Sequence, residues 1–425
     1  MGGRASLILV MGFSLILAYI SYNLNQYATR SVGNMSSYAE STTSHNLALA
    51  GANVGLAKFY VDTSWAGSIT QTVNSASILG SFTVTRTDVG SNAAMLRSVS
   101  SYNSYGSGTL HDTVEVLFDK TKMNSFSMLA WMTNDENGVW WITGDTVWGR
   151  VHSNSTLNIN GRPVFREKVT TTKGFNPRPG TGTNQAIFKK GYETGIAPIT
   201  LPSDMSEMVS AATGGGKKYT TDIWVTLDAG TAVDNDGKAY IRTSATGAIV
   251  DSITLGDPSF NGVILGTGRV NVKGTVDGQL SIGSLTDVYI QDDIRYAANP
   301  RVGASNDVLG LVANRDVVVA QNTANNSNCI IDACVFARTG SFRAENYDTR
   351  PVSGTLTLLG SIVQNIRGAV GTFSGSTLVS GFSKRYTYDD RLSSVTFRPP
   401  SYPGFYVKTY AITAWWESFR VPRLN

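Results

Sequence analysis

From residue 5 to residue 29 the chain carries no charged side chain, and residues 5–20 are strongly apolar. The pattern then turns amphipathic without a break, through Met35, Tyr38, Leu47 and Leu49, into NLALAGANVGLAKFYVD. The first proline is Pro163, so nothing in this stretch has to stop a helix. The pattern predicts one helix over residues 1–62, apolar at its start and half-buried towards its end. Its uncharged section would be about 38 Å long, enough to cross a bilayer with tilt. Small residues are spread along it, at Gly12, Ala18, Ala28, Gly33, Ala48, Ala50, Gly51, Ala52 and Gly55. Their density predicts close approach to another surface, and the chain's own first sheet is the nearest one.

Residues 63–122 read as a small antiparallel meander packed on that helix. SFTVTRTD puts Phe82 and Val84 on one face, HDTVEVLFD groups Val114, Val116 and Phe118, and Gly90, Gly106 and Gly108 mark turns. Leu49, Val54, Leu56 and Phe59 are the helix positions expected to cover the sheet. Residues 123–398 carry short apolar beats every few residues, clearest over 258–380. They include Val263/Leu265, Val270/Val272, Leu280/Ile282 and Val288/Ile290, each bounded by Gly, Asn or Asp. A lone short strand cannot bury its face, whereas stacked coils can, so this stretch reads as a β-solenoid or β-helix-like head. The expected inward ladder is Ile264 or Val263, then Val272, Ile282, Ile290 and Val319. A Gly/Pro-rich excursion is expected over about 171–219, with a short helix near 203–212. Residues 399–425 read as a C-terminal capping strand. The fold class is α+β, mainly β: a long N-terminal α-helix, a small antiparallel sheet and a large solenoid-like head.

Composition sharpens this picture. Charged residues make up only 16% of the chain and glycine numbers 43, which suits a turn-dense, extracellular β protein. The length of 425 residues allows two or three domains. A formal charge of +4 leaves no basic stripe for nucleic acid. The two cysteines, Cys329 and Cys334, lie five apart in NCIIDAC. On one regular strand they face opposite sides, so a disulfide between them requires an intervening turn. Arg4 is the only charge before the apolar run, and no small-residue cleavage site follows it, so a secretory signal does not fit. A plain signal anchor remains open.

A glycine-bearing start, an apolar helix, a switch to an amphipathic helix ending in ALAGANVGLAKFY, and then a β-meander resemble the type IV pilin-like N-terminus of PilX-type minor pilins. The resemblance implies cleavage by a prepilin peptidase between Gly3 and Arg4. Ile8 stands where major pilins carry Glu, which points away from a self-polymerising major subunit. The segments WGRVHSNSTLNINGRPVF, VYIQDDIRY, SNDVLGLVANRDVVVA and GTLTLLGSIVQNIRGAVGTF resemble the β-rich DUF4900 domain found attached to such N-termini. What the resemblance implies is a structural subunit of a pilus-like filament or its tip. Leu7, Leu9, Gly12, Ile16, Tyr19, Leu24 and Ala28 would pack against copies of the chain or other pilins. The protein would sit in the inner membrane before assembly and outside the bacterial cell afterwards.

Candidate chemistry is sparse. Asp292, Asp293, Arg295 and Asp307, with Lys384, Arg385, Asp389 and Asp390, are the groups from which a β-helix polysaccharide-active enzyme would draw. Their alternative role is to bond backbone amides at turns, with Arg295 pairing one carboxylate. Neighbouring Asp292 and Asp293 cannot both line one cleft without a bulge. Asp234 and Asp236 flank a Gly turn that would suit calcium, as would Asp292 and Asp293, but a plain turn accounts for the same residues. No cofactor is expected. His45, His111 and His152 are scattered, and no phosphate loop or serine elbow occurs. His152 is expected at a turn, bonded to backbone. The reading is a non-enzymatic subunit, with a surface-anchored glycan-active enzyme or an adhesin as the alternative.

Overall fold

The computed structural model describes residues 2–62, 65–75, 78–90, 93–104, 108–119, 121–230, 237–375, 377–394, 396–408 and 411–418. They are mainly β, in several sheets, with one long N-terminal helix. The chain forms two compact units: Met1–Lys122 with Tyr406–Asn425, and Met123–Phe405.

In the first unit, helix α1 runs unbroken over Gly2–Val61. Strands β1 (Gly67–Asn74), β2 (Leu79–Val89), β3 (Ala93–Ser104) and β5 (Thr113–Asp119) form an antiparallel sheet in that order, and β4 (Gly108–Leu110) pairs with the end of β3. Alternation decides the buried face: Phe82 and Val84, Ala94 and Leu96, and Val114, Val116 and Phe118 all point under the helix. The helix answers with Ala48, Gly51, Ala52, Gly55 and Phe59, and the Phe59 and Phe118 rings meet at 4.7 Å. Leu49 and Leu56 are only partly buried at its edge.

The small residues let the helix sit close. A Cβ on Gly51 would lie 2.2 Å from Ser98 Oγ and 2.7 Å from the Phe82 ring, and one on Gly55 would lie 2.8 Å from a Val84 methyl. The C-terminal strand Ile412–Glu417, read as a capping strand, is the edge of this sheet and pairs with β5. A polar cluster fastens it: His45 Nδ1 is 2.8 Å from Asp112, His45 Nε2 is 3.1 Å from Glu417, and Ser418 donates to Asp112. Its sequence could not show this, because an amphipathic strand fits any sheet with a free edge.

The second unit is built on parallel ladders. One passes in register through Lys218, Leu265, Gly283, Val312, Phe336, Val363, Met132, His152, Thr170 and Glu193. Beside it runs an apolar column: Ile264, Ile282, Leu311, Val335, Ile362, Trp131, Val151 and Val169. A second column joins Val225, Val272, Ile290, Val319 and Ala344. Both belong to one buried cluster. Spatial order departs from chain order, because strand Val352–Ile366 lies between Cys329–Ala337 and Trp131–Asp135.

Of the two expected inward positions at the start of the ladder, Ile264 belongs to the inner cluster. Val263 and Leu265 are also fully buried, on the other side of the strand. A helix over Ser206–Thr213 lies against this strand, and its Met208 reaches the position of a Gly283 Cβ. The excursion is shorter than composition suggested. Strands Val169–Thr171, Phe175–Asn176, Ile187–Phe188 and Tyr192–Thr194 already continue the ladders. The glycines that suggested a loop sit at the corners, with φ of 93° at Gly174 and 74° at Gly191.

The close helix–sheet approach yields a test. Gly51→Leu should destabilise the first unit by about 1–3 kcal/mol through overpacking. Gly33→Ala, with nothing within 4 Å of its Cβ position, should leave the sheet unaffected. Amide hydrogen exchange of β2 and β3 reads the difference; equal protection in the two variants would contradict the packing.

Candidate functional site

The first half of α1 presents a continuous run of exposed apolar side chains. Its apolar side chains are solvent-facing, from Leu7 at 63% exposure through Ile16 at 56% to Tyr19 at 70%. Leu9, Leu24 and Ala28 are also exposed, and Gly12, although half-exposed itself, has nothing within 4 Å of its Cβ position. Gly3 and Arg4 lie in the exposed first turn. The helix is long and apolar enough to cross a membrane, and none of its most apolar window is buried against the rest of the protein. The same helix is thus buried only in its second half, where Ser44, Leu47, Ala48, Gly51, Ala52, Gly55 and Phe59 lie at its own sheet.

The carboxylates singled out from the sequence do not converge. Asp293 and Asp292 lie on strand Val288–Tyr296, where the register jumps from Val272↔Ile290 to Gly274↔Ile294. That irregularity lets three residues, Gln291, Asp292 and Asp293, stand opposite Lys273. Asp293 accepts from the Ile330 amide at 2.8 Å and pairs with Arg295 at 2.7 Å, so it stitches one rung to the next. Asp292 accepts from the Asp293 amide and lines a shallow groove with Trp224, Lys273 and Asn322. Asp307 is fully buried and accepts from the amides of Gly278 and Ala298. Asp234 and Asp236 lie outside the described residues. Among the described residues no group of three His, Cys, Asp or Glu is placed to hold a metal ion.

The turn that a disulfide required does not exist. Cys329 and Cys334 lie on one unbroken strand, Cys329–Ala337, and both are free. Cys329 faces the inner cluster and Cys334 the opposite side, and burial pushes both thiols up to about 12. They behave as small apolar residues.

Lys384 is drawn inside rather than outward. It approaches Asp145 at 3.4 Å, and burial holds its ammonium below the usual lysine range. Next to it lies a pair that no local motif pointed to: Arg367 and Glu136, 231 residues apart and both almost wholly buried, meet at 2.8 Å. The Arg367 guanidinium stands 4.1 Å from the Trp141 ring centre and 5.2 Å from that of Trp131, and Glu136 also accepts from Thr133. Ion-pair distance in sequence is what hid it, since nothing in either local segment points to the other. His152 is on a strand, not at a turn, and bonds side chains rather than backbone: Nδ1 meets Thr170 Oγ1 and Nε2 meets Asn154 Oδ1, each at 2.8 Å.

No family model matches the chain, and neither does any curated relative. One solved structure aligns along most of it. The crystal structure of the competence-associated pilin ComZ from Thermus thermophilus aligns with 89% of this chain and 97% of its own, at 12% identity and a TM-score of 0.40. A likeness at that level does not establish a common fold.

Burial holds the His152 imidazole below its ordinary value, the Asn154 bond only partly opposing it. As pH falls below about 6.5, the unfolded chain takes up a proton that the folded chain refuses. This group therefore removes stability on acidification, by at most about 1.4 kcal/mol per pH unit. His152→Gln should flatten the loss between pH 7.5 and pH 5.0 in denaturant titrations of the second unit. Asp332, raised by burial, has the opposite slope but is common to both proteins. Parallel pH profiles would mean that His152 is protonated in place.

Proposed function

We propose that this chain is a structural, pilin-like subunit of a cell-surface filament or its tip, and not an enzyme. The carrying observation is the division of α1: an apolar, wholly exposed first half continuous with a second half locked onto a sheet. Exposed leucines and isoleucines over about 38 Å need lipid or other helices around them. Residues Leu7, Leu9, Gly12, Ile16, Tyr19, Leu24 and Ala28 first face the inner membrane and then copies of this chain or other pilins. The PilX-like start supports prepilin-peptidase cleavage after Gly3, and Ile8 fits a minor rather than a major subunit.

In this reading the parallel ladders of the second unit are the walls of a β-solenoid displayed outside the cell, related to DUF4900 domains. The separation of Asp292 and Asp293 from Asp307, and the engagement of Asp293 and Asp307 with backbone amides, favour a structural role over glycan cleavage.

Ile16→Asp should abolish membrane retention and recovery in sheared filaments, read by fractionation of cells carrying the full chain. Unchanged assembly of that variant would defeat the proposal. Intact-mass measurement should place the mature terminus at Arg4; an unprocessed chain would favour a plain signal anchor.

A further inference from the structure

The short parallel ladder of Thr146–Val147, Val164–Phe165 and Ile187–Phe188 has an outer side that none of the preceding roles uses. Val147, Phe165 and Phe188 pair in register across three successive rungs, with Phe165 in the buried cluster and the other two packed against it. The residue that follows each of these short strands is exposed: Trp148, Arg166 and Lys189, one per rung. They line a cleft of about 820 Å³. Arg385, the carboxylates Asp389 and Asp390, and Arg301 on the loop before Val308–Ala313 line it as well.

Three features of the cleft define what it can hold. First, three of its cations are outside any ion pair. Among the described residues Arg301, Arg385 and Lys189 form none, whereas Arg391 in the same lining is fixed by Asp389 at 2.6 Å. Second, an indole is presented at the rim. Trp148 is 43% exposed, with the Arg166 guanidinium 3.7 Å from its ring centre. Third, the lining is mixed in sign, since Glu167 and Asp390 share it with the arginines. A polyphosphate backbone asks for cations without carboxylates between them. A sugar acid asks for what is here: a planar fork for its carboxylate, an aromatic edge against its ring, and acceptors for its hydroxyls. The volume lies in the range of ordinary ligand sites.

We propose that this cleft binds a carboxylate-bearing saccharide, with Arg385 and Arg301 on the carboxylates, Trp148 against a sugar ring, and Asp390 and Glu167 accepting from hydroxyls. This binding is independent of whether the chain enters a filament. It is retention without turnover, so no bond is made or broken.

The test is calorimetric titration of the full chain in detergent with hexamers of galacturonate, of mannuronate and of hyaluronan. Maltohexaose and a single-stranded DNA oligonucleotide are run beside them. At least one acidic hexamer should bind saturably, with maltohexaose at least tenfold weaker. Arg385→Gln and Trp148→Ala, both at exposed positions, should each weaken binding tenfold or more while leaving thermal unfolding unchanged. Absence of binding by all three acidic hexamers would overturn the proposal. So would DNA binding as tight as the best saccharide with no effect of Trp148→Ala, which would mark a plain anion patch. Binding untouched by either substitution would place the site elsewhere and overturn it equally.

Discussion

No strand of the second unit can bury its apolar face alone, and every other feature of that unit follows from this. Each rung is two to fifteen residues long and contributes one or a few inward side chains. Those side chains leave water only when the rungs on either side are in place. The column from Ile264 to Val169 is therefore a shared property of eight strands. Its most non-local joint is the one between Ile362 and Trp131, where the two partners are separated by most of the unit's sequence. Until Val352–Ile366 is in place, Trp131–Asp135 lacks this neighbour, so the contact carries the largest loop-closure cost in the column.

The buried ion pair lies at that joint. Glu136 follows Trp131–Asp135 and Arg367 follows Val352–Ile366, so their contact can form only when the two strands are in the correct register. A slip by one residue would leave both charges buried and unpaired. Breaking such a pair from one side costs about 3–5 kcal/mol, whereas replacing both partners with apolar residues costs little. The pair consequently adds discrimination between registers more than it adds stability. The indole rings of Trp131 and Trp141 on the guanidinium reinforce this, since they too come from the earlier segment.

What was legible in the sequence follows from the same physics. The long helix and the mainly β character could be read because each leaves a local pattern: an uncharged apolar run, and alternation in stretches such as HDTVEVLFD. The alternation fails where both strand faces are covered. Val263, Ile264 and Leu265 are all fully buried, so hydrophobicity alone could not say which points inward. The strands between 169 and 194 were hidden for the opposite reason, being two or three residues long between glycine corners. Of the residues singled out for chemistry, Arg385, Asp389 and Asp390 do share a cleft, while Asp292, Asp293 and Asp307 each accept from backbone amides, Asp293 and Asp307 those of different segments. Trp148, Arg166 and Lys189 carried no signal at all, because their kinship is one of register, which only the paired strands reveal.

Register also explains why such a wall suits a repeating ligand. Parallel rungs stand about 4.8 Å apart, so outward residues at equivalent positions form a row with fixed spacing. A substitution on one rung alters one step of that row without touching the inward column that holds the rung in place. The outer face can therefore change its chemistry residue by residue while the inner face stays constrained by its neighbours. Trp148, Arg166 and Lys189, chemically unlike one another yet backed by Val147, Phe165 and Phe188, show that separation within three successive rungs.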